Sequence, residues 1–299
     1  MEFEKNVNAT VGDSTTPCQV NEENSQVVAD YITQWLKDYI NKSGTKGYVL
    51  GVSGGIDSAV VSTLCARTGF PLTVVEMPIH QDNDQVLRAK EHIQTLKDNY
   101  DNVTSIEIDL TDTYDGMVNV LRTDGVTDEE FNFTMANTRA RLRMTTLYAI
   151  AGQKGLLVCG TGNRVEDFGV FFMTKFGDSA VDVSPIADLM KSEVYVVAKA
   201  IGVSSDIINT TPTDGLHGDG RTDEEQLKCT YPELEWAMEY HDDYLEYGEN
   251  GDTHFNDKEV FMLNEREQEV LSNYLYHHEK GKHKSLPIPV CGIPGNLFN

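Results

Sequence analysis

The stretch LGVSGGIDSAV (50–60) concentrates Ser53, Gly54, Gly55, Asp57 and Ser58 between two apolar runs. Serine hydroxyls and glycine amides at a strand-to-helix turn suit an anion, because the first N–H groups of a helix lack intrahelical partners and carry the positive end of its dipole. An acid beside that anion is repulsive unless a divalent cation lies between them, which makes Asp57 a candidate magnesium ligand. The alternative is an ordinary turn in which Asp57 serves only the helix N-terminus. No Gly-Lys-Ser/Thr and no GxGxxG follows, so neither a Walker loop nor a dinucleotide fingerprint is present.

The elements that would position this elbow read as alternating strands and helices. A helix is predicted from Ser25 to Gly44, on the recurrence of Val27, Val28, Tyr31, Ile32, Trp35, Leu36 and Tyr39. Strands are predicted at 48–52, 73–77, 103–108 and 156–160. Helices are predicted after the elbow and over 82–97, 133–152, 191–201 and 257–278, with Gly202 as a C-terminal stop. This order predicts an α/β fold, a doubly wound parallel sheet with flanking helices, and its ligands belong at the carboxyl ends of the strands. The first 24 residues read as a loose arm, 210–222 as a glycine-rich lid loop, and acidic 240–257 as a solvated linker or insertion.

Composition narrows the function. The 299 residues carry 24 Lys+Arg against 48 Asp+Glu, a formal net charge of -24 that disfavours nucleic acid and anionic membranes. The five cysteines form no CxxC pair, which suggests neither a disulfide framework nor a zinc site and fits a reducing cytoplasm. No apolar h-region follows the N-terminus and no run approaches ~18 apolar residues, so neither export nor membrane spanning is expected. Against this acidity, Arg139, Arg141 and Arg143 crowd one predicted helix, where Asn137, Arg141 and Met144 share a side. They concentrate positive charge where phosphates would need it, although pairing with surface carboxylates remains open, for Arg139 above all.

SGGIDS (53–58) resembles the signature of the N-type ATP pyrophosphatases, which cleave ATP to AMP and pyrophosphate while adenylating a substrate oxygen. FTMANTRARLRM (133–144), GTGNRVEDFGVFFMTKFGD (160–178), VDVSPIADLMKSEVY (181–195) and TPTDGLHGDGRTDEEQL (211–227) narrow the resemblance to ammonia-dependent NAD synthetases, from about residue 25 to residue 286. The resemblance implies an adenine-nucleotide α-hydrolase-like fold, with ATP, deamido-NAD and ammonia as substrates, Mg2+ as cofactor and a homodimer. It implies ATP contacts from Ser53, Gly54, Gly55, Asp57, Ser58, Arg143, Thr161, Lys191 and Thr213. Deamido-NAD contacts are implied for Phe133, Asn137, Arg141, Lys175, Asp182, His283 and Lys284, and metal ligation for Asp57 and Glu166. Asp57, Lys175, Asp178 and Lys191 take the catalytic roles.

Taken by themselves, Glu166 is an unremarkable helix-surface glutamate and Lys191 an unremarkable helix lysine. Phe171 and Phe176 are more often core than stacking partners, and His277, His278 and His283 read as solvated rather than as a metal cluster. Ser179, Ala180 and Lys228 stand where the family carries glycines, and the tail after Leu286 has no counterpart. Two rivals stay open: another adenylating synthetase of this fold, and a non-catalytic adenine-nucleotide sensor that would not need the arginine helix, Lys175 or Lys191.

Overall fold

The computed structural model describes residues 19–213, 222–247, 253–255 and 263–294. Four parallel strands, β1 (Tyr48–Gly51), β2 (Leu72–Glu76), β3 (Val103–Glu107) and β4 (Leu157–Val158), lie in the order β3-β2-β1-β4. The chain winds outwards from β1 to β3 and then returns to the other side of β1, which makes the β1/β4 gap the switch point where a ligand crevice opens. Tyr48, Val49 and Leu50 are all buried, as a central parallel strand covered on both faces requires.

Alternation along the strands sorts the core into two layers. Tyr48, Leu50, Leu72 and Val74 face the helices α1 (Ser25–Ser43), α2 (Ile56–Arg67), α3 (Asn83–Asn99) and α6 (Lys191–Ala200). Val49 and Val75 face α4 (Thr111–Leu121) and α5 (Asp128–Lys154). α1 stops at Gly44, φ 69°, as predicted, but the face it buries is Ala29, Ile32, Leu36 and Ile40, while Val27, Tyr31, Trp35 and Tyr39 of the predicted recurrence are exposed. α2 is buried nearly all round, and its elbow is therefore held rigidly.

A third cluster packs beside the sheet. It joins the π-helical turn Val165–Gly169 to α8 (Asp223–Leu227), α9 (Tyr231–Tyr244) and α10 (Glu265–Gly281), with α7 (Ser205–Ile208) completing the α-helices of the described residues. None of these helices is long and apolar enough to cross a membrane.

Several predicted boundaries move. α5 begins at Asp128 rather than 133, because Thr127 and Glu130 form a reciprocal capping box, and runs through Gly152 to Gly155, φ 72°. β4 is shorter than predicted because Cys159 pairs with Val183 instead of continuing the ladder. α4 was not predicted; its Tyr114 is buried under α5 and the rest of its surface is largely open. The acidic stretch is not a linker throughout: α9 runs to Tyr244, and β5 (Leu245–Tyr247) pairs antiparallel with β6 (Thr253–Phe255). The last helix begins at Glu265, capped by Asn264, and residues 256–262, which include its predicted start, lie outside the described residues. Residues 1–18 of the predicted arm, 214–221 of the predicted lid and 295–299 of the tail lie outside the described residues. Val20, at the end of the arm, donates its N–H to Glu193 Oε1 at 2.7 Å.

Candidate active site

The elbow leaves β1 at Val52 and enters α2, whose first helical bond runs from Ala59 N to Gly55 O. The amides of Ile56, Asp57 and Ser58 therefore start the helix without carbonyl partners behind them. Gly54 has φ +82°, and a Cβ there would lie 2.5 Å from the Gln85 carbonyl oxygen, so only glycine lets α3 press against the turn. Ser53 and Ser58 brace the loop through their hydroxyls, 3.2 Å apart.

Asp57 does not cap its own helix. Its Oδ1 accepts from Asn163 Nδ2 at 3.2 Å, and its Oδ2 takes the Lys191 ammonium at 2.7 Å. Lys191 Nζ also reaches Glu166 Oε1 at 2.9 Å, and the Tyr231 hydroxyl donates to that oxygen at 2.7 Å. Lys191, 3 % exposed, opens α6 and lies with its ammonium 4.8 Å from the centre of the Tyr231 ring. Burial opposes its charge, but the two carboxylates outweigh burial and hold the amine protonated, its pKa raised. Burial likewise pushes the Asp57 carboxyl up beyond what Lys191 pulls it down, whereas for Glu166 the pull of Lys191 and Tyr231 prevails over burial and the pKa falls.

Glu166 projects from the π-helical turn, where Val170 N bonds Val165 O five residues back. Such turns re-aim a side chain out of helical register. Its neighbour Asp167 presses on Gly162, where a Cβ would sit 2.1 Å from the carboxylate. Burial, with Glu166, Asp178 and Asp57 nearby, pushes Asp167 up to about 8. Asp57 and Glu166 are hard oxygen donors that already close on one cationic atom, a donor set suited to Mg2+. Among the described residues no group of three or more His, Cys, Asp or Glu assembles to hold a metal.

These groups line a cleft of about 1070 Å³ at the switch point. The structure brings to its wall Ser53, Gly54, Gly55, Ser58, Thr161 and Thr213 on the elbow side. Phe133, Asn137, Arg141 and Arg143 line it from α5, with Lys175, Asp178, His283 and Lys284 nearby. Arg143 donates to the Met77 carbonyl at 3.1 Å and to Gln81 Oε1 at 2.7 Å, at the end of β2. Arg141 instead donates to the Lys175 carbonyl at 3.2 Å, and Lys175 Nζ to the His283 carbonyl at 2.8 Å. Lys284 Nζ ties down the Phe171 and Met173 carbonyls, each at 2.8 Å. Thr174 donates its hydroxyl to Asn137 Oδ1 and its amide to Asp178 Oδ1. Burial pushes Asp178 up to about 6, against the pull of its backbone hydrogen bonds.

Some expectations change. Asp182 is not on the cleft wall: its Oδ2 accepts from Val158 N at 2.7 Å and its Oδ1 from the Tyr148 hydroxyl, bracing the end of β4. Arg139 is buried, with its guanidinium 4.9 Å over the Tyr114 ring. Phe171 is core, but Phe176 is 61 % exposed beneath the Lys175 ammonium. His278 is not simply solvated, because its Nδ1 meets the Gly169 carbonyl at 2.8 Å and its ring packs on Phe171 and His241. Sequence reasoning missed Tyr231 and Gln81, which carry no local pattern, and read past Asn163, which stands inside the GTGN turn.

The comparisons with known proteins follow this geometry. A family model described as NAD synthase matches residues 28–287. The NH(3)-dependent NAD(+) synthetase of Mesoplasma florum is 39% identical over 208 residues, 69% of this chain and 81% of that protein. That of Syntrophomonas wolfei is 32% identical over 280 residues, 92% of this chain and all of its own. The structure of NMN synthetase from Francisella tularensis superimposes with a TM-score of 0.73 at 28% identity, covering 90% of this chain and 99% of that one. The NH3-dependent NAD synthetase of Campylobacter jejuni, 22% identical, shares the fold with a TM-score of 0.68 over 90% of this chain and 99% of its own. A match spanning nearly all the described core, with relatives of this identity aligned over most of both chains, settles the matter: the chain belongs to the NAD synthase family.

Proposed function

We propose that this chain amidates the nicotinate carboxylate of deamido-NAD with ammonia, converting ATP to AMP and pyrophosphate. The observation that carries this reading is one cleft with a phosphate-binding elbow and the Asp57–Lys191–Glu166 cluster on one side and Arg141, Asn137 and Lys175 on the other. A carboxylate repels a nucleophile, so one of its oxygens first attacks the α-phosphorus of ATP. The bond from that phosphorus to the α,β-bridging oxygen breaks and pyrophosphate leaves. Ammonia then attacks the acyl carbon, loses a proton, and AMP departs with the former carboxylate oxygen. Asp57 and Glu166 would hold Mg2+, which supplies charge neutralisation on the phosphates when bound. The elbow amides and Lys191 hold phosphate oxygens in place, acting by position and charge. Arg143 and Thr161 serve ATP, while Phe133, Asn137, Arg141, Lys175, His283 and Lys284 serve the dinucleotide. Asp178 orients the incoming ammonia, and Thr213 joins Arg143 and Thr161 on the ATP side.

The likeness to an NMN synthetase favours one second reading, in which the acceptor is nicotinate mononucleotide. Incubation with Mg2+, ATP, ammonium and either acceptor, with AMP and the amide product quantified, separates them. NAD from the dinucleotide at the higher kcat/KM is expected. Amide from the mononucleotide alone selects the second reading, and no amide from either refutes both.

Assembly as a homodimer belongs to the same proposal. Tyr31, 72 % exposed, Trp35 and Tyr39 form an apolar face on α1, while Phe133 and Tyr148 are exposed on α5. Met144 and Leu147 are buried in the chain's own core, and α1 and α5 cover opposite faces of the sheet, so one two-fold contact cannot use both. The α5 face, beside the cleft, is the one that could share a site, and activity that survives dilution to a monomer in light scattering would exclude it. A cytoplasmic location is supported by the free thiols of Cys65, Cys159, Cys229 and Cys291.

A further inference from the structure

Among the described arginines, Arg88 alone makes no hydrogen bond, ion pair or ring contact. Arg67, Arg122, Arg164 and Arg266 pair with carboxylates, Arg139 lies over Tyr114, and Arg141 and Arg143 donate to carbonyls. The Arg88 Nε–H is nevertheless buried and has no acceptor. A guanidinium N–H removed from water without a partner is costly, and an acceptor entering this position would relieve that cost.

The position is specific. Arg88 lies on α3, and a Cβ built on Gly54 would be 3.4 Å from the Arg88 Cβ, which places the base of the side chain directly against the elbow. It lines the main cleft and also a smaller cavity of about 430 Å³ shared with Asp84, Glu91 and Asp206. In a chain of net charge -24, with three acids around that cavity, a surface arginine would be expected to find one of them. No ion pair joins Arg88 to any of them. Arg141 and Lys175, the cations proposed for the nicotinate end, belong to α5 and the 171–178 segment, whereas Arg88 stands on the elbow side with Thr210 and Thr213.

We propose that Arg88 donates to the β- and γ-phosphoryl oxygens of ATP and retains the departing pyrophosphate beside the elbow. The proposal rests on the adenylation reading above. A planar guanidinium presents paired N–H donors that match phosphate oxygens, and it stays charged throughout. When the bond between the α-phosphorus and the α,β-bridging oxygen breaks, the electron pair goes to that oxygen. Arg88 stabilises the added charge without giving up a proton. It joins Lys191 and the elbow amides as a third donor set, reached from a different helix.

The test compares full-length wild type, Arg88→Gln and Arg88→Lys. Binding of inorganic pyrophosphate with Mg2+ is measured by calorimetry, and inhibition by pyrophosphate and by AMP is measured against ATP. Loss of a charge-assisted pair predicts pyrophosphate binding weakened about tenfold or more in Arg88→Gln and less in Arg88→Lys, with AMP inhibition unchanged. Equal pyrophosphate binding by wild type and Arg88→Gln overturns the proposal, as does an equal loss for AMP and pyrophosphate, which would mark a structural disturbance. Arg88→Lys keeps the charge and the fold if Arg88→Gln does not express. Calorimetry reads the phosphate site even if the wild type forms no amide, so failure of the adenylation reading stays distinguishable.

Discussion

Lys191 Nζ lies 2.7 Å from Asp57 Oδ2 and 2.9 Å from Glu166 Oε1, joining three side chains that are 134 and 25 residues apart along the chain. Removing the ammonium would leave two largely buried carboxylates facing each other. Lys191→Met should therefore abolish activity and destabilise the fold by about 3–5 kcal/mol, the usual consequence of breaking a buried pair from one side. Adding Asp57→Asn and Glu166→Gln to that variant should restore much of the stability and none of the activity. Urea unfolding of the single and triple variants checks it; equal stability of both would mean the carboxylates do not depend on Lys191.

Tyr231 positions Glu166 from behind. Its hydroxyl lies 2.7 Å from Glu166 Oε1 and 3.2 Å from Asp223 Oδ2, and its single proton serves the nearer oxygen. Tyr231→Phe keeps the ring under Lys191 and deletes that donor. Loss of a group that orients a ligand typically costs about 10–100-fold in metal affinity. A rise of that order in the Mg2+ concentration giving half-maximal activity is expected, at little change in thermal stability. An unaltered Mg2+ titration would remove Tyr231 from the site.

Arg141 and Arg143 diverge by roughly 200° around α5, and they reach opposite ends of the cleft. Arg141→Ala should raise the KM for deamido-NAD about tenfold or more and spare that for ATP, and Arg143→Ala should do the reverse. Steady-state kinetics with each substrate varied would show the split, and parallel effects on both substrates would contradict it.

His92 offers a stability prediction away from the chemistry. Burial, only partly countered by a backbone contact with Ala59, lowers its pKa from 6.5 to about 4, and its Nε2 lies 2.8 Å from the Ser62 hydroxyl in the core. The folded state therefore binds fewer protons here than the unfolded chain between pH 6.5 and 4. The stability from this group is complete above 6.5 and falls as pH drops, by about 3 kcal/mol at pH 4. His92→Phe should flatten that part of the unfolding free energy against pH. In the wild type the His92 imidazole should remain neutral by NMR at pH 5.5, and titration near 6.5 would refute its burial.

The elbow was legible in the sequence because strand, turn and helix start are local, and glycine and serine at those positions suit few other purposes. The helix from Ser25 and the winding order were legible for the same reason, since periodicity and turn residues act over a few positions. Asp57 could be suspected from charge alone. Lys191 and Glu166 could not, because a lysine at a helix start and a glutamate in a turn have no pattern until the fold packs them against Asp57. The resemblance supplied them, and the tertiary structure decided what each touches. It also decided that Asp182 braces β4, that Tyr231 supports Glu166 and that part of the acidic stretch forms α9. Burial and pairing between distant segments depend on how the layers stack, and that information lies in no single window of the chain.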